Sequence, residues 1–104
     1  MAIRGVGIDS IEVGRILSFL KKAFSKQELD YASSRGNPAS ILAGMLAAKE
    51  AASKALGVSQ LSFFKLEVRF AKDGTPQIWK GKKKLPVCVS LTHTATVASA
   101  IAVR

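Results

Sequence analysis

The stretch NPASILAGMLAAKEAASKALG, residues 37 to 57, constrains the fold more than any other part of the chain. Asn37 is a good N-cap, Pro38 suits the first helical position and Gly57 suits a left-handed C-terminal cap, so the pattern predicts a helix from Pro38 to Leu56. At about 100° per residue, Leu42, Leu46, Lys49, Ser53 and Leu56 share one stripe, while Ile41, Ala48, Ala52 and Ala55 lie roughly opposite. A helix that is apolar on most sides is normally buried. The rest of the chain must then pack around it, and Lys49, Glu50, Ser53 and Lys54 should lie against protein instead of on an open solvated face.

The flanking segments supply the packing partners. At 104 residues the chain is expected to form one domain, spanning 1–104. Residues 2 to 8 read as a strand in which Gly5 and Gly7 mark either a bulge or a close approach by another backbone or a ligand, with Asp9 at its end. A helix is expected from Ser10 to about Leu20, and the capping box SKQE at 25 to 28 opens a short helix through about Ser33. Leu66, Val68 and Phe70 alternate with Lys65, Glu67 and Arg69 before the turn KDGTP, which predicts a hairpin into QIW. KGKKK, residues 80 to 84, reads most simply as a solvated hairpin loop, with a contribution to docking as the other reading. LPVCVSLT and VASAIAV then form a second hairpin with His93 near its turn, and their apolar residues on both faces predict a sheet covered on both sides. The fold class is therefore α/β in the α+β sense, a long buried helix on an antiparallel sheet.

Composition narrows the functional classes. No run approaches the ~20 apolar residues of a membrane span, and the start MAIRGVGID carries no run of signal-peptide length, so a soluble, cytoplasmic chain without membrane association is expected. Cys88 is the only cysteine, which excludes an internal disulfide and a cysteine metal cage; its apolar strand context predicts a buried, inert thiol. A formal charge of +9 favours an anionic partner: nucleic acid, a phosphorylated small molecule or an acidic protein. A nucleic-acid module is disfavoured by one Trp, one Tyr, no interleaving of basic and aromatic residues and no zinc or helix-turn-helix signature. A catalytically silent interaction protein on the same fold is the other alternative.

Glu50 and Lys54, spaced i,i+4, either form a helix-stabilising pair contributing about 0.2–0.5 kcal/mol, or divide a different task. In that second reading Glu50 gives an oxygen ligand to a divalent cation while Lys49 and Lys54 receive phosphate oxygens, because Mg²⁺ is usually held by one or two carboxylates plus substrate phosphates. A second acid is then required. Asp9 is the leading candidate, with capping of the next helix as its simpler role. His93 sits in THTAT, either as a structural turn residue or as part of a phosphate cradle built from hydroxyls and backbone amides.

Four blocks in order, GVGIDSIEVGRI at 5 to 16, LAGMLAAKEAASKALG at 42 to 57, LEVRFAKDGTPQI at 66 to 78 and VSLTHTATVASAIAV at 89 to 103, carry a more specific signal. Together they resemble the holo-acyl-carrier-protein synthase type of 4'-phosphopantetheinyl transferase over nearly the whole chain. The resemblance implies transfer of the phosphopantetheine arm from coenzyme A to a serine of an apo acyl carrier protein, with 3',5'-ADP as the other product and Mg²⁺, or Mn²⁺ in its place, as cofactor. It implies that Asp9 and Glu50 are metal ligands, that Lys54 contacts the pyrophosphate and that His93 with Thr94 contacts the 3'-phosphate side of coenzyme A, with Lys49 and Ser53 also at the coenzyme site. The base that takes the serine proton is a metal-bound water or Glu50 acting through water. An acidic carrier protein would dock on Arg15, with Lys21, Lys22 and Lys26 as further candidates, and the assembly would be a homotrimer with sites between subunits. Two features differ from the family pattern: Met45 stands where members often carry arginine, and the segment between Leu29 and Leu42 is shorter than usual.

Overall fold

The computed structural model describes residues 2–18, 20–58 and 65–104; at 17, 18, 20 and 21 the description stops at the backbone. In chain order the elements are strand β1 (Val6–Glu12), a 3-10 segment (Val13–Ser18), helices α1 (Leu20–Ala23), α2 (Lys26–Ser33) and α3 (Pro38–Leu56), and strands β2 (Glu67–Phe70), β3 (Pro76–Lys80), β4 (Lys83–Lys84), β5 (Cys88–His93) and β6 (Val97–Val103). The strands form two antiparallel sheets, ordered β1-β6-β5 and β2-β3-β4.

Helix α3 has the caps its sequence predicts. The Asn37 side chain accepts from the Ser40 backbone N–H, Pro38 opens the helix, and Gly57 takes a left-handed conformation with φ 71°. Residues 42 to 49 of α3 are all buried, with Ala51, Ala52, Ser53 and Ala55 continuing the buried surface, so this helix is the centre of the core. The β1-β6-β5 sheet lies along it, and α2 joins from another side, where Tyr31 stacks on Phe70 of β2 with ring centroids 4.6 Å apart.

Gly5, just before β1, and Gly7 within it explain how a strand comes so near a helix. A Cβ on Gly7 would lie 1.9 Å from the Ala51 carbonyl oxygen, and one on Gly5 would lie 2.1 Å from that of Ala55. Of the two roles open to these glycines, close backbone approach is the one realised, against the alanine side of α3.

Three expectations need correction. β1 continues to Glu12 where a helix was expected from Ser10: Asp9, Ser10, Ile11 and Glu12 pair with Ala100, Ser99, Ala98 and Val97 of β6, so their backbone groups are satisfied by the ladder. Alternation is what fixes this choice, since Gly7 and Ile11 turn inward while Ile8, Ser10 and Glu12 turn outward. Second, among the described residues only one face of the β1-β6-β5 sheet is covered; Val6, Ile8, Val97 and Ile101 are exposed on the other. Third, Cys88 is exposed, on the same side of its strand as Ser90 and Thr92. Both hairpins form as expected, with Phe70 opposite Pro76 and His93 opposite Ala98, and the lysine loop turns through Gly81 between β3 and β4 with residues 80 to 84 all exposed.

Candidate active site

Inward alternation on β1 turns Asp9 toward α3, one turn of which presents Glu50 and Lys54. Lys54 Nζ donates to the Ile8 carbonyl at 2.9 Å and to Asp9 Oδ1 at 3.4 Å. The Asp9 side chain is 14% exposed and that of Lys54 43%, so the pair sits at a rim. An ammonium has three donors and two are used here.

Glu50 completes the cluster. Partial burial, a hydrogen bond with Asp9 and repulsion from it push the Glu50 carboxyl up to about 7, only partly offset by the positive charges of Lys54 and Arg15. Asp9 Oδ2 is buried and has no hydrogen-bond donor among the described residues. With both carboxyls ionised, two negative charges face each other and a buried oxygen goes unsatisfied; a proton on Glu50 relieves both problems, and so would a divalent cation. Among the described residues no group of three or more His, Cys, Asp and Glu forms a metal cage. The donor set is two hard carboxyl oxygens, which is what Mg²⁺ uses when substrate oxygens and water complete its shell. The residues present fit that ion.

Two residues expected at the coenzyme site are elsewhere. Lys49 is fully buried, and its Nζ donates to Glu28 Oε1 and to the Ala23 carbonyl, each at 2.6 Å. Burial holds the Lys49 pKa below its ordinary value despite the attraction of Glu28 and Glu67. Closed off from solvent, its ammonium is out of reach of a phosphate. Ser53 is also fully buried and donates its hydroxyl to the Lys49 carbonyl at 2.9 Å, a bond within the helix. One turn of α3 thus divides its polar residues, with Glu50 and Lys54 at the rim and Lys49 and Ser53 in the core.

Glu28 is the residue that sequence reasoning missed. Beyond its capping role, its Oε1 accepts from the Ser25 N–H and from Lys49, and its Oε2 accepts from the Val68 N–H at 2.8 Å, so a single carboxylate ties α2, α3 and β2 together. Its only sequence signal was the capping box; the partners lie 21 and 40 positions away.

His93 and Thr94 close the β5–β6 hairpin and are exposed. Thr94 Oγ1 accepts from the Thr96 and Val97 N–H groups, and the Thr94 carbonyl accepts from Ser40 Oγ at 3.2 Å, which pins this turn to the first turn of α3. Ser40 and Glu50 are ten residues apart on α3, about 15 Å along its axis. The hairpin turn and the carboxyl pair are thus anchored to different ends of one helix. Arg15, in the 3-10 segment, is exposed and close enough for its charge to act on Glu50. Lys22 is exposed; Lys26 is exposed and pairs with Asp30 at 3.5 Å; the Lys21 side chain lies outside the described residues. Met45 is 1% exposed and belongs to the core, so in this chain that position offers nothing to a phosphate.

The fold and site define a class: a small α+β protein with a carboxyl pair and a lysine gathered where one strand crosses one buried helix. The chain belongs to the 4'-phosphopantetheinyl transferase superfamily, whose sequence profile matches residues 5–103. It is 40% identical over 111 residues to a holo-[acyl-carrier-protein] synthase of Bacillus subtilis, a match covering 94% of this chain and 92% of that one. A holo-[acyl-carrier-protein] synthase of Clostridium perfringens is 40% identical over 85 residues, 73% of this chain and 64% of that relative. Among solved structures, a holo-(acyl-carrier-protein) synthase from Bacillus anthracis in complex with CoA (3',5'-ADP) superposes with a TM-score of 0.79 at 32% identity, covering 97% of this chain and 95% of that one.

Proposed function

We infer that this chain transfers the 4'-phosphopantetheine arm of coenzyme A to a serine hydroxyl of an apo acyl carrier protein, leaving 3',5'-ADP. The observation that carries the reading is the Asp9–Glu50 carboxyl pair with Lys54 beside it, in a chain of this superfamily. In the reaction a serine oxygen bonds to the phosphorus that carries the pantetheine arm, the P–O bond to 3',5'-ADP breaks, and the serine proton passes to water.

Asp9 and Glu50 would hold Mg²⁺, or Mn²⁺, which oxygen donors also accept. When bound, the ion neutralises charge that builds on the diphosphate oxygens. The chain's own residues do the rest. Lys54, held by the Ile8 carbonyl and Asp9, presents its remaining N–H to a phosphate oxygen and keeps the Asp9 carboxyl oriented. His93 and Thr94 receive the 3'-phosphate end of coenzyme A. Because their turn is anchored to the far end of α3, the reading includes a homotrimer in which neighbouring chains combine the two regions. The exposed Val6, Ile8, Val97 and Ile101 on the open sheet face support such an assembly, since burying them against another chain removes apolar surface from water. Arg15 and Lys22 meet the acidic carrier protein. Among the described residues no helix is long and apolar enough to cross a membrane, and the proposed location is the cytoplasm.

The test is direct. The chain is incubated with coenzyme A, Mg²⁺ and an apo acyl carrier protein, and the carrier's intact mass is followed. A phosphopantetheine adduct that vanishes in Glu50→Gln supports the reading, and its absence from the wild-type reaction refutes it.

A further inference from the structure

The lysine-rich hairpin borders a basic cleft separate from the carboxyl pair. The cleft has a volume of about 280 Å³ and is lined by Lys22, Phe24, Ser25, Lys65, Arg69 and Gly81. Arg69 organises it: its guanidinium pairs with Glu67, lies 4.5 Å above the Trp79 ring and donates to the Gly81 carbonyl at 3.1 Å, which sets the turn of the hairpin beside the cleft. Glu67, the one acid among the described residues of the lining, is thereby committed. Its carboxyl is held below the usual carboxylate range by hydrogen bonds from Ser25 and Arg69 and by nearby positive charge, which outweigh its partial burial.

The remaining charge is uncompensated. Lys22 and Lys65 in the cleft, and Lys82, Lys83 and Lys84 on the hairpin, make no ion pair among the described residues. All five are exposed. Lysines of this kind are mobile point charges, not a rigid fork, so they match an extended acidic surface better than a single phosphate. A single-stranded nucleic acid would look for open aromatic faces, and here Trp79 is half-buried beneath Arg69 while Phe24 is buried.

We propose that the cleft between α1 and the β2-β3-β4 sheet, together with its lysine hairpin, is a second docking surface for the acidic carrier-protein substrate, continuous through Lys22 with the first. This rests on the reading of the chain as acting on an acyl carrier protein. The surface adds steering and residence to the encounter and contributes nothing to the chemical step.

The experiment uses the full chain and a fluorescently labelled apo acyl carrier protein, with binding read by anisotropy and transfer read separately by mass. Two variants are compared with wild type: Lys65→Glu, and Lys82→Glu with Lys83→Glu. At low salt the expected result is a rise in the carrier Kd and KM of roughly tenfold or more, with kcat and the KM for coenzyme A unchanged. The dependence of binding on salt should also become shallower. An unchanged carrier Kd in both variants overturns the proposal. So does a duplex or single-stranded oligonucleotide that binds wild type, competes with the carrier and is lost in the variants, because the surface then serves nucleic acid. Should wild type transfer nothing, the enzymatic reading fails on its own, while the anisotropy comparison still decides whether the surface binds an acidic protein.

Discussion

Lys49 Nζ and Glu28 Oε1 lie 2.6 Å apart with both side chains fully excluded from solvent. Removing one partner of a buried pair leaves an uncompensated charge, which costs about 3–5 kcal/mol. Lys49→Met and Glu28→Gln should each lower stability by that order in urea denaturation. The double variant should lose less than the sum of the two, because neither charge is then stranded. Turnover per folded molecule of the double variant should be retained, since Lys49 reaches no substrate; a selective loss of kcat would return Lys49 to the phosphate site.

The contrast between Lys49 and Lys54 shows where the sequence was legible. Helix α3, its caps and its burial follow from local spacing, as do both hairpins. What spacing could not supply was which of two lysines five positions apart points into the core, because that depends on Glu28, 21 positions away. The same limit explains β1. GVGIDSIE has a plausible helical continuation, and it becomes a strand because β6 supplies its ladder and α3 accepts only glycine at positions 5 and 7. Asp9 and Glu50 were singled out from the sequence, yet Arg15, expected only in docking, also acts on Glu50 through its charge.

Close approach at Gly7 gives the next prediction. A Cβ there would overlap a backbone oxygen, which cannot rotate away as a side chain would. Gly7→Ala should destabilise the chain by at least about 1–3 kcal/mol, as overpacking does. By pushing β1 off α3 it should also weaken divalent-cation binding, because Asp9 lies two residues along the same strand. Thermal melts with and without Mg²⁺ measure both effects. A normal Tm with normal Mg²⁺ stabilisation would show that strand and helix can separate freely.

The raised carboxyl of Glu50 sets a pH dependence. Its folded value of about 7 exceeds the ordinary 4.5, so the folded protein binds the extra proton more tightly than the unfolded chain. This contribution to metal-free stability is full below about 4.5 and is lost as pH rises through about 7. With Glu50 as the proposed ligand, cation binding displaces that proton, so Mg²⁺ affinity should rise by about tenfold per unit on approaching pH 7 and flatten above it. Calorimetry in two buffers of different ionisation enthalpy measures the released proton directly. No proton release at pH 6 would remove Glu50 from the ion's ligands.

Arg15 separates docking from local electrostatics. Its positive charge lowers the Glu50 pKa, opposing burial and Asp9. Replacing it with glutamine removes that opposition, so Glu50 should titrate above 7 and the acid limb of the kcat/KM profile for coenzyme A should move to higher pH. Loss of the proposed docking contact should raise the KM for carrier protein, and that effect should shrink as salt screens the surface. The two consequences differ in what screens them: the first arises at a half-buried carboxyl and persists in salt, while the second arises at the exposed surface and fades. Arg15→Lys restores the charge without the planar fork and should therefore return the pH profile more completely than the carrier KM. A variant that alters carrier KM while leaving the pH profile untouched would confine Arg15 to docking.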